Sequence, residues 1–230
     1  MASDVKILFF DYYMTLVKLE NPFEQIKKWM SEYLANYHNG IDSHKFYSRF
    51  TKYRAFLSSD GTFRLGAELL SQSLEKTCQK FSLADFSKEF VSFINDLFGS
   101  VRAYDDALFV INRLRESFTV GLLTNADNDI IMKPINREKF GFDFIITSED
   151  AKSNKPDAKI FQYALSQLKI KPKQALMIGD SQFDDLYGAQ QAGIRSVWIN
   201  RNHEALKEGI HSPAFEVDNL TEILNIIDKV

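Results

Sequence analysis

Four polar clusters carry residue types that can do chemistry together, and each follows a short apolar run: Asp11 after VKILFF, Thr124 after TVGLL, Lys155 after FDFIITSEDAKSN, and Asp180 after ALMIG. An aspartate carboxylate can attack an electrophile and form an ester or acyl phosphate. A hydroxyl beside the free N–H groups of a helix start, as at Thr124-Asn125, can hold an anionic oxygen. The Lys155 ammonium can neutralise charge on the nucleophile and on the transferred group. Asp180, Asp184 and Asp185 crowd three carboxylates behind one apolar run, an arrangement that is costly unless a cation or a helix terminus offsets it. Hard oxygen ligands of this kind suit Mg²⁺, which keeps several waters and takes one or two carboxylates.

Each cluster also has a plain structural reading. Asp11 can cap a tight turn, and Thr124, Asn125 and Asp127 are all residues that helix N-termini prefer. Lys155 precedes Pro156, which the pattern places at the first position of a helix, and a lysine there is usually solvated. Asp184 and Asp185 can simply stabilise a helix start. Only an architecture that brings the four clusters together favours the chemical reading.

The elements between them predict such an architecture. From Arg102 onward, helical and strand-like segments alternate: a helix over 103–117, a strand over 119–123, a helix over 128–140, a strand over 142–147, a helix over 156–168, a strand over 174–178, a helix over 184–192, a strand over 195–199 and a closing helix over 220–229. Apolar strands with little alternation, spaced by helices, indicate a parallel sheet covered on both faces. Residues 21–100 break the rhythm, with Phe23, Ile26, Trp29, Met30, Tyr33, Leu34 and Tyr37 at helical spacing and no strand-like run. The expectation is an α/β fold, a doubly wound, Rossmann-like parallel sheet, with core segments 1–18 and 100–230 and an all-helical cap at 19–99. In an open parallel sheet the strand ends form one crevice, where residues over a hundred positions apart can meet.

Composition narrows the function. In 230 residues with 45% hydrophobic content, a net charge of −3 offers no basic field for nucleic acid phosphates. The run Val5–Phe10 is too short for a membrane span or a signal segment, and Cys78, the single cysteine, cannot form an internal disulfide. These features predict a cytoplasmic protein whose partner is a small molecule rather than nucleic acid or membrane, and leave monomer and homodimer open. His38, His44, His203 and His211 show no metal-ligand spacing.

In order and context, the four clusters together resemble the signature of the haloacid dehalogenase superfamily of hydrolases, in its subgroup with a helical cap between the first and second motifs. The resemblance implies that Asp11 is the nucleophile, Thr15 the motif-one threonine, Thr124 with Asn125 the motif-two site, Lys155 the motif-three lysine, and Asp180 with Asp184 or Asp185 the acidic motif. It implies a Mg²⁺ site formed by Asp11, the Tyr13 carbonyl, Asp180 and Asp185. Closure of the cap over the crevice is likewise what the family implies.

This chain departs from the family's phosphatases at two positions. Where they usually carry a second Asp that protonates the leaving alcohol and later activates water, it has Tyr13, and the glycine that commonly follows is Met14. Losing a positioned acid or base typically costs about 10²–10⁴ in rate. Family dehalogenases also carry Tyr at that position, and halide departure needs no proton, but they commonly lack the acid found here as Asp180. Three functions follow as expectations: a Mg²⁺-dependent hydrolase of a small phosphorylated metabolite, a metal-independent 2-haloacid dehalogenase-like hydrolase forming an Asp11 ester, or a binding module with weakened turnover. Substrate choice is expected to lie in the cap, where Arg49, Arg54 or Arg64 can clamp an anionic tail among Phe46, Tyr47, Phe50, Tyr53 and Phe56. Plain packing of those rings and solvation of those arginines are the alternatives.

Overall fold

In the computed structural model, which describes residues 4–38 and 40–229, the first apolar run becomes strand β1 (Ile7–Phe10), buried at every position. The further strands are β2 (Val17–Lys18), β3 (Arg102–Ala103), β4 (Thr119–Thr124), β5 (Phe144–Thr147), β6 (Ala175–Gly179), β7 (Arg195–Ile199) and β8 (Phe215–Val217). Six of them form one sheet in the order β5-β4-β1-β6-β7-β8, with every neighbouring pair parallel. The sheet and the helices connected to it make this an α/β, Rossmann-like fold. Phe10 stands level with Leu122 of β4 and Ile178 of β6, so Asp11, Thr124 and Asp180 leave the sheet at the same edge. On the sheet, Phe9, Leu123, Ile160, Phe161, Ala164 and Met177 belong to one buried cluster.

The stretch without strands forms α1 (Pro22–Tyr37), α2 (Ser43–Ser59), α3 (Gly66–Lys80) and α4 (Ser87–Gly99). Pro22 opens α1, and the Asp42 carboxylate caps α2 by accepting the Lys45 N–H at 3.0 Å. Apolar residues four apart, Ile26, Met30 and Leu34 on α1 and Phe46 and Phe50 on α2, build a core with Leu74, Phe86, Phe90 and Ile94. Each such side chain contributes about 1.5–3 kcal/mol when fully buried. By its contacts the chain divides into two compact units, one holding the described residues up to Lys18 with Val101–Asn128 and those from Met132 onward, the other Leu19–Ser100 with Asp129–Ile131.

The remaining helices are α5 (Ala107–Leu114), α6 (Asn128–Glu138), α7 (Ser148–Ala151), α8 (Ala158–Leu168), α9 (Gly188–Gln191) and α10 (Ile223–Ile226). Five features differ from the sequence expectation. The helix expected over 103–117 shrinks to α5 because Arg102 and Ala103 pair antiparallel with Lys18 and Val17 in a two-stranded ribbon. The expected closing helix is one α turn flanked by 3₁₀ turns, and the helix expected over 184–192 opens with a π-helical segment, Gln182–Tyr187. β8, three residues long, lacks enough alternation to be read from sequence. Pro156 does not open a helix: the Lys155–Pro156 bond is cis, and α8 begins after Asp157, whose carboxylate accepts the Lys159 N–H at 3.0 Å. Among the described residues no helix is long and apolar enough to cross a membrane.

Candidate active site

The nucleophile candidate is fixed first by backbone, since the Asp11 N–H extends the sheet by donating to the Ile178 carbonyl at 2.9 Å. The chain then turns tightly, with the Leu16 and Val17 N–H groups both donating to the Tyr12 carbonyl and the Met14 N–H to the Val17 carbonyl. Met14 sits at φ 62°, in the left-handed region that favours glycine. A non-glycine residue there carries a penalty of roughly 1–2 kcal/mol, which is why the position suits glycine, and the Met14 side chain itself is exposed.

Around Asp11 the four clusters converge. Its Oδ1 accepts from the Thr124 hydroxyl at 3.0 Å and from Lys155 Nζ at 2.7 Å. The same ammonium donates to Asp185 Oδ1 at 2.5 Å. Thr15 donates its hydroxyl to Asp180 Oδ1 at 2.7 Å and accepts the Asp180 N–H at 3.0 Å, so the first and fourth clusters lock together. Neither Thr124 nor Asn125 caps a helix. Asn125 instead holds the Lys155 backbone from both sides, accepting its N–H at 2.7 Å and donating to its carbonyl at 3.0 Å. The Lys155 side chain is 2% exposed and that of Asp185 fully enclosed, so Lys155 is not the solvated lysine that sequence alone would favour.

Asp185 rather than Asp184 joins the centre. One oxygen each from Asp11, Asp180 and Asp185 lies within 4.8 Å of the others. Asp184 uses its backbone N–H on the Ser181 hydroxyl at 3.0 Å, while Asp185 Oδ2 accepts the Ser181 N–H at 3.0 Å. Gly179 makes room for this: a Cβ there would lie 2.1 Å from Asp185 Oδ2. Buried Trp198 also donates its indole N–H to the Asp180 carbonyl at 2.9 Å. Sequence reading had no signal for that bond, although the Gly that ends a buried strand was a usable cue for the Asp185 pocket.

Three carboxylates face one ammonium, an excess of acid in a site largely closed to water. Burial opposes the charge on Lys155, but Asp11 and Asp185 outweigh it and hold its pKa above the ordinary lysine value. Asp180 is pushed up to about 7 by burial and then by Asp11, against the pull of the Thr15 hydroxyl and Lys155. Asp185 is raised well above its usual range by burial, with Lys155 opposing. The oxygen donor set and its surplus negative charge fit a hard divalent cation.

Tyr13 stands beside Asp11 with its ring edge-on to Tyr12 at 5.2 Å, outside the carboxylate trio. Burial above all, then Tyr12, Asp11 and Asp127, push the Tyr13 phenol well above its usual value, so it stays protonated at neutral pH. Arg49 and Arg54 belong to the helical unit, where Arg49 lies over Tyr53 at 5.9 Å and Arg54 over Phe23 at 5.4 Å. Arg64 is held within its own loop by both Asp60 carboxylate oxygens and the Leu57 carbonyl. Phe46 and Phe50 are core residues, whereas Phe56 is exposed.

Comparison with known proteins identifies the family and the fold. The family described as haloacid dehalogenase-like hydrolase matches residues 60–199, which include Thr124, Lys155, Asp180 and Asp185 but not Asp11. Pyrimidine 5'-nucleotidase YjjG of Escherichia coli is 30% identical over 143 residues, 60% of this chain and 62% of its own length. The matched region therefore spans less than two thirds of that relative. Glyceraldehyde 3-phosphate phosphatase of Pyrococcus furiosus is 25% identical over 98% of this chain and 94% of its own. In fold, the chain superposes on 2-haloacid dehalogenase from Pseudomonas syringae pv. Tomato DC3000 with a TM-score of 0.76 at 22% identity, covering 98% of this chain and 99% of that one.

Proposed function

This chain belongs to the haloacid dehalogenase-like hydrolase family, and we propose that it is a Mg²⁺-dependent hydrolase of a small phosphorylated metabolite, with Asp11 as nucleophile. The observation that carries this reading is the trio Asp11, Asp180 and Asp185, three carboxylates within 4.8 Å around a buried lysine. The phosphatases among its relatives support it. Asp11, Asp180 and the Tyr13 carbonyl would hold Mg²⁺, with Asp185 in support. A bound Mg²⁺ supplies Lewis acidity and neutralises charge on the phosphoryl oxygens.

In the first step an Asp11 oxygen forms a bond to phosphorus while the bond from phosphorus to the leaving oxygen breaks, giving an aspartyl phosphate and a departing oxyanion. Water then attacks phosphorus, the acyl–phosphate bond breaks, and phosphate leaves with the Asp11 carboxylate restored. The Thr124 hydroxyl and Lys155 ammonium hold Asp11 and counter the charge that builds there. Tyr13 cannot serve as a base at neutral pH, because its phenol is held protonated. Substrates with good leaving groups, such as acyl or aryl phosphates, fit this site best. Tyr13→Asp should therefore raise hydrolysis of an alkyl phosphate, and no gain would count against the phosphatase reading.

The same residue favours a second reading, a dehalogenase-like hydrolase in which an Asp11 oxygen displaces halide from carbon, forming an ester that water hydrolyses. The helical unit would serve as the cap, with Arg49 and Arg54 engaging an anionic tail, and the lone reduced Cys78 suits a cytoplasmic enzyme. A panel of aryl, acyl and alkyl phosphates and 2-haloacids, each with and without Mg²⁺, tests both readings against Asp11→Asn as control. Phosphate release that needs Mg²⁺ and Asp11 is expected. Halide release without metal would replace the first reading with the second, and activity surviving in Asp11→Asn would remove both.

A further inference from the structure

We infer that Arg201 is a positioning residue for the loop that carries Asp11, Tyr13 and Thr15, acting through the Thr15 carbonyl; for its catalytic consequence this rests on the function proposed above. Arg201 lies just beyond β7, 186 positions from Thr15, and its Nη2 donates to the Thr15 carbonyl at 3.1 Å. That bond takes up the backbone of a residue whose hydroxyl is already committed to Asp180 at 2.7 Å. One residue thus links the motif-one loop to the acidic strand end by its side chain and to Arg201 by its main chain.

Two further contacts hold the guanidinium itself, and each of those partners is anchored in turn. Its Cζ lies over the Tyr104 ring, 3.7 Å from the ring centre, within range of a favourable cation–π interaction. The Tyr104 backbone N–H donates to the Leu16 carbonyl at 3.0 Å, so the platform under Arg201 is tied to the next residue of the same loop. Asp106 lies 3.8 Å from Arg201 on one oxygen, while its other oxygen accepts the Leu220 N–H at 3.0 Å. Arg201 and Asp106 expose only 19% and 21% of their side chains, which reduces solvent screening of the pair. Immediately after Leu16, the chain enters the β2–β3 ribbon at Val17, opposite Ala103. Tyr104 and Arg201 therefore grip the nucleophile loop where it passes into the ribbon leading toward the helical unit. A lysine could donate to Thr15, but it would lose the delocalised guanidinium face that lies over Tyr104.

Among the described residues Arg201 makes no hydrogen bond or ion pair with the carboxylate trio or Lys155, so its influence is on where the loop sits. Arg201→Ala and Arg201→Lys, compared with wild type below their melting temperatures, separate this from general stability. Hydrogen exchange should rise at least about tenfold across residues 12–17 in Arg201→Ala and stay unchanged in strands β6 and β7, with Arg201→Lys in between. Loss of an outer contact of this kind should lower kcat or weaken Mg²⁺ affinity by roughly 10–100-fold with KM nearly constant. In a Trp29→Phe background, Mg²⁺ binding can be followed by fluorescence of Trp198, which bonds to the Asp180 carbonyl. Unchanged exchange in the loop, or an exchange increase spread evenly over the sheet, would overturn the inference. The exchange readout needs neither metal nor substrate, so a wild type inert toward phosphate esters would sink the proposed function while leaving the positioning role to stand or fall on its own.

Discussion

The two units handle charge in opposite ways. In the sheet unit, Asp11, Lys155 and Asp185 are enclosed and bound to one another. In the helical unit the interior is apolar, with Trp29, Tyr33, Phe86 and Phe90 packed ring against ring, and cations such as Lys45 and Lys52 are exposed beside a cavity of about 510 Å³ that Arg49 also lines. Buried charge is expensive, and proteins keep it where electrostatics serve a reaction. Exposed charge is cheap and on its own indicates little.

The sharpest way to break this contrast is Lys155→Met, which leaves Asp11 and Asp185 enclosed without their cation. Removing one partner of a buried pair should lower unfolding stability by about 3–5 kcal/mol, measured by urea titration in EDTA. A loss under about 1 kcal/mol would mean that water reaches the site freely. Next in size, Gly179→Ala forces a methyl against Asp185, and overpacking there should lower stability by about 1–3 kcal/mol and weaken Mg²⁺ binding. Full metal affinity in that variant would show that Asp185 is not held by the Gly179 gap.

The pH dependence has a definite sign. The folded, metal-free protein keeps a proton on Asp180 up to about 7, whereas the unfolded chain releases it near 3.8. This contribution to stability is full below the unfolded value and is lost as pH rises through the folded one, with a slope of at most about 1.4 kcal/mol per pH unit. In EDTA the melting temperature should fall between about pH 4 and 7, and Mg²⁺ should recover the loss. A flat profile would remove the electrostatic crowding at Asp180. The smallest effect belongs to the helical surface: Lys45→Ala and Lys52→Ala should each change stability by no more than about 0.5 kcal/mol. A larger change would show that those cations are structurally engaged.

How much of this was legible in the chain follows the range of each interaction. Asp11, Thr124, Lys155 and Asp180 were recognisable because each follows an apolar run, and such runs become parallel strands whose ends share an edge. The helical spacing of Ile26, Met30 and Leu34 likewise announced an apolar core. Short elements were not legible, since the two-residue strands of the ribbon have no period to detect.

By itself the sequence determined which residue types stand at the strand ends and the order in which they come, because local pattern encodes strands and helices directly. Only tertiary structure decided that Asp185 rather than Asp184 enters the carboxylate trio, that Asn125 grips the Lys155 backbone, and that Arg201 reaches Thr15. Those choices depend on the register of neighbouring strands, on a gap left by one missing Cβ, and on contacts between residues up to 186 positions apart, none of which leaves a local trace.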